Sequence, residues 1–288
     1  MKIDTQTNVP AQRLGVKEAV QMISKAGFDG VDLSLFSVKD AWRTDPKAFI
    51  KEAEAAKKEY HIPFLQAHAP FPGKRYGDEA YNEVMDAHVR AAIEMAGVLE
   101  AGIIVVHPIY CPTLSAAEQM EWNLDYYRSF EPLCKKWGIQ IAIENMWGVR
   151  DGKIIPNVCS AGKELGAYLD ALASDSFTVC ADLGHFPMVG VDAAEQVRTL
   201  GARTGALHIH DNDLIHDLHD IPFSGKINWG SITAALAEVN YKGTLTFETD
   251  KGYLTPMPTE LLPSALAHMA EVGRYLKSQI EQKQQKPL

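Results

Sequence analysis

The sequence contains few cysteines and no cysteine pair with the close spacing of a metal site. Its four cysteines are Cys111, Cys134, Cys159 and Cys180. Small disulfide scaffolds are much richer in cysteine, and cysteine-ligated zinc sites carry CxxC-type pairs. The pattern therefore argues against both classes, and we expect reduced thiols in a cytoplasmic protein.

Long hydrophobic runs are also missing. No apolar segment approaches the ~20 residues that a membrane span requires. The first residues, MKIDTQTNVP, lack the apolar centre of a signal peptide. We therefore expect a soluble protein that is not exported and has no membrane partner.

The sequence has fewer basic than acidic residues. The chain has 37 acidic and 28 basic residues, for a net charge of −9. An acidic protein has no broad electrostatic attraction to nucleic acid or anionic lipid, so we expect no nucleic-acid partner. Its 46% hydrophobic content is typical of a globular protein. No Pro/Gly/Ser-rich linker occurs, which predicts one domain over residues 1–280 and a polar C-terminal tail over 281–288.

Short apolar runs rich in β-branched residues alternate with longer amphipathic stretches along the chain. The apolar runs predict strands near residues 2–6, 30–35, 62–67, 102–106, 139–143, 177–181, 205–209 and 243–247. The amphipathic stretches predict helices near residues 16–26, 47–59, 79–99, 115–137, 161–172, 192–201, 230–239 and 260–280. Strict alternation implies parallel strands, and eight repeats are the number that closes a barrel. We predict an α/β fold, a single (β/α)8 TIM barrel, with a doubly wound sheet as the alternative.

Polar residues concentrate at the carboxyl ends of the predicted strands or in the loops that follow them. They are His68, His107, Glu144, Asp182, His185, His208, His210, Asp217, His219 and Glu248. In a barrel these ends meet at one mouth, which is where barrel enzymes keep their active sites. The amino ends show no comparable concentration.

A single histidine or glutamate after a strand is more often a hydrogen-bonded structural residue than a metal ligand. Three carboxylates and several histidines in one cavity, however, indicate a bound cation. Unpaired buried charges are costly, and a divalent metal compensates them. Oxygen-rich coordination with imidazole suits Mn²⁺, Mg²⁺, Co²⁺ or Zn²⁺. Glu144, Asp182, His208 and Glu248 come from four successive strands and could ring one ion. Three carboxylates and a divalent ion sum to about −1, which favours a neutral polyol over a bare anion at the metal.

The segments IENMWG, ADLGH, HIHDN and FETD, with HAP and HP upstream, resemble the xylose isomerase-like barrel superfamily. That superfamily includes sugar isomerases and epimerases and apurinic endonucleases of the endonuclease IV type. The resemblance implies a divalent metal, Mn²⁺ first, held by Glu144, Asp182, His208 and Glu248. It also implies that Glu144 and Glu248 act as an acid/base pair, as in ketose 3-epimerases, and that His185 lies near the substrate.

The resemblance extends to the endonuclease branch. Nine residues match the ligands of its trinuclear zinc site, namely His68, His107, Glu144, Asp182, His185, His208, Asp217, His219 and Glu248. Against this branch, the chain is acidic, its strand-end loops carry few Lys or Arg, and HIHDND replaces an HLNDS-type segment. We therefore predict a sugar or sugar phosphate isomerase or epimerase acting through an enediolate. The alternatives are an apurinic endonuclease and a metal-dependent lyase of an oxidised sugar.

The remaining candidates concern substrate binding. We assign this role to His68, His107, His185, Asp217, His219 and Trp147. Aromatic residues just past strand ends could stack on a sugar or pack loops, and they are Phe71, Tyr110, Trp147, Phe186 and Phe223. Lys74 and Arg75 could bind a phosphate or carboxylate of the substrate, or form a solvated charge pair. Asn145 could orient Glu144, contact substrate or shape a turn.

Members of the superfamily often form homo-oligomers, so a dimer or tetramer is possible.

Overall fold

A computed structural model of the protein describes residues 1–36 and 41–285. The strands within them are β1 (Lys2–Thr5), β2 (Val31–Ser34), β3 (Phe64–His68), β4 (Ile103–Val106), β5 (Gln140–Glu144), β6 (Trp147–Arg150), β7 (Lys153–Pro156), β8 (Phe177–Asp182), β9 (Thr204–His208) and β10 (Thr244–Phe247). The helices are α1 (Asn8–Leu14), α2 (Val16–Ala26), α3 (Ala41–Thr44), α4 (Pro46–Glu59), α5 (Glu79–Val98), α6 (Ala116–Arg128), α7 (Glu131–Trp137), α8 (Gly162–Leu172), α9 (His185–Met188), α10 (Ala193–Leu200), α11 (Trp229–Glu238) and α12 (Leu262–Gln284). None of these helices is both long and apolar enough to cross a lipid bilayer.

Eight of the strands form a closed ring of parallel strands. The order β2-β3-β4-β5-β8-β9 forms one parallel sheet, and β1 pairs with β10 in parallel. Single parallel bridges between Gln6 and Asp32 and between Ile209 and Phe247 join the two sheets. The TIM barrel prediction is confirmed, and the doubly wound sheet is wrong because such a sheet would leave its outer strands unpaired.

Strand alternation sorts the side chains into an outer core and a barrel interior. Along β5, Ile141 and Ile143 belong to the large core, whereas Ala142 belongs to a small separate cluster with residues of β4, β8 and β9. Because side chains alternate along a strand, Glu144 faces the same side as Ala142. The end of β5 therefore directs a carboxylate into the mouth of the barrel.

One predicted helix is divided. The pattern over 115–137 predicts a single helix, whereas α6 ends at Arg128 and α7 begins at Glu131. Pro132 lies in the first turn of α7. Its ring lacks an N–H and would clash inside a continuous helix, so proline favours a helix start at this point.

Several unpredicted elements share one location. The short helices α1, α3 and α9 and the β6–β7 hairpin each follow the carboxyl end of a barrel strand. They therefore surround the mouth. At the other end of the chain, α12 continues to Gln284, so residues 281–284 of the expected tail are helical.

Candidate active site

The structure gathers the predicted site residues at the mouth of the barrel. His68, Glu144, Asp182 and His208 are the last residues of β3, β5, β8 and β9. Glu248 directly follows β10 and His107 directly follows β4. His185 begins α9, Trp147 begins β6, and Asp217 and His219 lie in the loop between β9 and α11.

Three carboxylates converge on one nitrogen of His208. Its Nδ1 lies 3.0 Å from Oε1 of Glu144, 3.1 Å from Oε2 of Glu248 and 3.8 Å from Oδ2 of Asp182. All four side chains are buried. One potential ligand atom from each lies within 4.8 Å of the others, so the group has the spacing of a metal site.

The donor set fits a divalent cation. An imidazole nitrogen carries at most one proton, so His208 Nδ1 cannot satisfy three carboxylates at once. Burial makes the remaining negative charge costly unless a cation balances it. Three carboxylates with one imidazole match the oxygen-rich preference of Mn²⁺ and Mg²⁺, and Co²⁺ and Zn²⁺ also accept such ligands.

The two glutamates are held in their ionised form. Burial alone would raise the pKa of Glu144, but the fields of His208 and His107 hold it well below its usual range. At Glu248 burial acts in the same direction, and His208 and His219 outweigh it to lower the pKa. Ionised carboxylates are the form that binds a cation.

Neighbouring groups fix the orientation of the carboxylates. Oδ1 of Asp182 accepts hydrogen bonds from the backbone N–H groups of Gly184 (2.8 Å) and His185 (2.7 Å). The side-chain amide of Asn145 bonds both backbone groups of Asp182. Asn145 therefore joins the ends of β5 and β8. This role is structural, but it links two strands and does not shape a turn. Gln6 donates from Nε2 to Oε1 of Glu248 at 2.8 Å.

His68 and His107 lie on the far side of Glu144. The Nε2 atom of His107 lies 2.9 Å from Oε2 of Glu144, and that of His68 lies 3.6 Å from the same oxygen. The two Nε2 atoms are 3.2 Å apart. His68 is fully buried, whereas the side chain of His107 is 13% exposed. His107 is therefore the one that a ligand in the mouth can reach.

A second group of polar side chains adjoins the first. Its members are His185, His210, Asp217 and His219, and their potential ligand atoms also lie within 4.8 Å of one another. Oδ1 of Asp217 lies 3.0 Å from Nε2 of His219 and 3.4 Å from Nε2 of His185. Burial opposes charging of these histidines, yet nearby carboxylates raise the pKa of His185 to about 10 and that of His219 to about 9. The ammonium of Lys251 also contacts Asp217.

Two participants, Gln6 and Lys251, escaped the sequence reasoning, and a third, His210, was noted at its strand end but given no role. Gln6 binds Glu248, Lys251 binds Asp217, and Nε2 of His210 lies 3.1 Å from Oδ1 of Asp182. His210 lies two residues beyond His208, so strand alternation places both on the same side, whereas Gln6 follows a strand whose interior side the sequence does not reveal. Lys251 carried no such signal because it lies in a loop.

The aromatic candidates separate into two groups. Phe71 stacks on His107 with ring centres 4.5 Å apart, and the ring of Trp147 lies 6.3 Å from that of His185. Tyr110 is 40% exposed. Phe186 is wholly buried in the hydrophobic core, so a stacking role for it on a sugar is wrong. Phe223 contacts Trp229 and Tyr275 instead of the polar groups.

Comparison with known proteins agrees with this architecture. A family model described as "Xylose isomerase-like TIM barrel" matches residues 20–272. Fructoselysine 3-epimerase of Shigella flexneri is 24% identical over 258 residues, covering 84% of this chain and 88% of that protein.

Solved structures share the fold at low identity. A D-tagatose 3-epimerase-like protein superposes with a TM-score of 0.79 and 21% identity, covering 98% of this chain and 99% of that one. The apo form of a 3-keto-D-glucoside 4-epimerase from E. coli superposes with a TM-score of 0.73 and 19% identity, covering 94% and 99%.

Proposed function

This chain belongs to the family of xylose isomerase-like TIM barrels, and from that premise we propose that it is a divalent-metal-dependent sugar epimerase. The observation that carries the proposal is the convergence of Glu144, Glu248 and Asp182 on Nδ1 of His208. Relatives named as 3-epimerases of fructoselysine and ribulose support the same reaction class.

Glu144, Asp182, His208 and Glu248 would hold the ion, with Mn²⁺ as the first candidate. When bound, a divalent ion supplies Lewis-acid stabilisation of negative charge on substrate oxygens. His107 and His185 would hold substrate hydroxyl groups by hydrogen bonds, since both border the four ligands. Trp147 and Phe71 would cover the apolar face of the sugar and exclude water.

Glu144 and Glu248 would move the proton. They come from β5 and from the end of β10, which β8 and β9 separate in the ring. A substrate carbon between them would lose a proton to one carboxylate and gain a different proton on the opposite face from the other carboxylate, which would first take that proton from solvent. The carbon next to a carbonyl is the one that can lose its proton, because the resulting enediolate delocalises the charge. Return of the proton to the neighbouring carbon would give aldose–ketose isomerisation.

A second candidate is cleavage of DNA at abasic sites. The observation that favours it is the second polar group, His185, His210, Asp217 and His219, which also has metal-site spacing. The contact between Lys251 and Asp217 argues against this function, because the ammonium already balances the carboxylate that a further metal ion would need. Expulsion of a leaving group from an oxidised sugar would use the same enediolate.

The proposed reaction is tested by turnover of a ketose panel in D₂O by the Mn²⁺-loaded protein. We expect deuterium at the carbon next to the carbonyl of the product, because the abstracted proton exchanges with solvent. Treatment with a chelator should remove the activity, and Mn²⁺ or Co²⁺ should restore it. Full retention of the original hydrogen would show a direct hydride shift and rule out the carboxylate mechanism, and full activity of metal-free protein would rule out the metal.

A further inference from the structure

A large cavity opens beside the four proposed ligands. Its volume is about 600 Å³, and its walls come from the loops after β3 and β4 and from the β5–β7 region. We call it the distal pocket, and its principal lining residues are Phe71, Lys74, Arg75, Tyr110, Trp147 and His107. Pockets of about 300–1,000 Å³ hold drug-sized ligands, so there is space for more than one monosaccharide ring.

The distal pocket is continuous with the proposed reaction site through His107. That residue lines the pocket, and its Nε2 lies 2.9 Å from Oε2 of Glu144. Phe71 stacks on the imidazole of His107 and contributes to the same wall. A sugar whose reacting carbons lie at Glu144 would therefore direct its remote end into the distal pocket.

The charge of the distal pocket is opposite to that of the protein. The chain carries −9 in total, yet the pocket lining contains Lys74 and Arg75 and no aspartate or glutamate. Among residues 1–36 and 41–285, no carboxylate forms an ion pair with either cation. Acidic groups gather at the four proposed ligands, and Lys74 and Arg75 line the neighbouring pocket.

Both cations are held over aromatic rings. The ammonium of Lys74 lies 5.3 Å from the ring centre of Tyr126, and the guanidinium of Arg75 lies 3.9 Å from that of Tyr81. Cation–π contact positions a cation without neutralising it. Arginine and lysine in this state bind carboxylates and phosphates through charge-assisted hydrogen bonds.

We infer that the distal pocket binds an anionic group, a phosphate ester or a carboxylate, carried by the sugar at the end remote from its reacting carbons. The inference rests on the proposed function only for the sugar part of the ligand. It separates two ends of one substrate: a neutral polyol end at the three carboxylates, and an anionic end at Lys74 and Arg75.

The test measures binding by calorimetry to the Mn²⁺-loaded protein. The probes are D-fructose, D-fructose 6-phosphate and D-fructuronate, which share a ketose end and differ in charge at the other. The variant is Lys74→Met with Arg75→Met. The matched control is Lys47→Met with Lys51→Met, which removes two exposed positive charges from α4, a helix that contributes no residue to the distal pocket.

We expect at least one of the two anionic ketoses to bind at least about tenfold more tightly than fructose in the wild type and in the control. The preference should disappear in the Lys74/Arg75 variant while its fructose affinity stays unchanged. The two anionic probes then show whether phosphate or carboxylate is preferred. Equal affinity for all three sugars in the wild type would overturn the inference, as would a charge preference that survives in the variant.

Turnover of the same sugars is scored separately. Charge-dependent binding at Lys74 and Arg75 without turnover of any sugar would remove the proposed function and leave the anion site in place. Turnover of fructose without any charge preference would support the proposed function and remove the anion site.

Discussion

The barrel holds two layers of buried acids, and they differ in what surrounds them. The upper layer consists of Glu144, Asp182 and Glu248 at the carboxyl ends of the strands. The lower layer consists of Asp4 on β1 and Asp32 on β2, both fully buried inside the ring. Histidines surround the upper acids, whereas Asp32 receives one hydrogen bond from Gln66 at 2.7 Å.

The surroundings shift the pKa values of the two layers in opposite directions. Burial raises the pKa of Asp4 well above its usual range, and the charge of Asp32 adds to the effect. Burial likewise raises the pKa of Asp32 to about 6, although His208 and His68 oppose it. Glu144 and Glu248 are just as buried, yet their histidines hold the pKa of each low. Burial raises the pKa of a carboxyl group, so the lower acids keep their protons to a higher pH than the upper acids, whose pKa the neighbouring histidines hold down.

The largest expected effect is on turnover. Glu144→Gln or Glu248→Gln should reduce kcat by about a thousandfold, because each change removes a proposed ligand charge and a proton carrier. Asp4→Asn, in the lower layer, should leave kcat nearly unchanged. Steady-state kinetics with unfolding curves to verify the fold provide the check, and near-normal activity of either Gln variant with its metal retained would contradict the role of that glutamate.

A smaller effect is expected on stability in the lower layer. A carboxyl with a raised pKa binds its proton more tightly in the folded protein, so ionised Asp32 destabilises the fold increasingly as pH rises from about 4 through 6. Asp32→Asn should therefore raise the free energy of unfolding at pH 8 by about 2–3 kcal/mol, and the gain should vanish near pH 4.

Urea unfolding at pH 4, 6 and 8 measures this difference. The control is Asp175→Asn, whose carboxylate is exposed and for which a change within about 0.5 kcal/mol is expected at each pH. A destabilised Asp32→Asn protein at pH 8 would show that the lower layer needs its charge, and the contrast between the layers would fail.

The smallest expected effect concerns the histidines of the upper layer. His107→Ala should raise KM about tenfold, since it loses a hydrogen-bonding group beside the substrate. His68→Ala should raise KM less, because His68 is fully buried and would act on the substrate only through its contact with His107. The metal content should stay at about one ion per chain, because the four proposed ligands are intact. Elemental analysis of each variant measures its metal content, and steady-state kinetics measure its KM. A fall in metal content would favour the multinuclear nuclease alternative.

Much of the candidate site at the mouth was predictable, because most of its residues directly follow the apolar runs that predict strands. Apolar runs located β5, β8, β9 and β10, and the residues that follow each run are the polar ones. The lower layer was not predicted, since Asp4 and Asp32 lie within strands whose interior side is unknown until the ring closes. The β6–β7 hairpin was also missed, because its short strands around Val149 show no clear alternation of apolar and polar residues from which a strand could be predicted.

By itself, the sequence determined the eight-fold alternation and the order in which Glu144, Asp182, His208 and Glu248 follow their strands. Only the tertiary structure decided which distant residues complete the site. Gln6 reaches Glu248 across 242 positions because closure pairs β1 with β10. Lys74 and Arg75 face the distal pocket because the loops after β3 and β4 meet there. Local periodicity specifies which side of a strand is buried, but long-range pairing sets which side chains become neighbours.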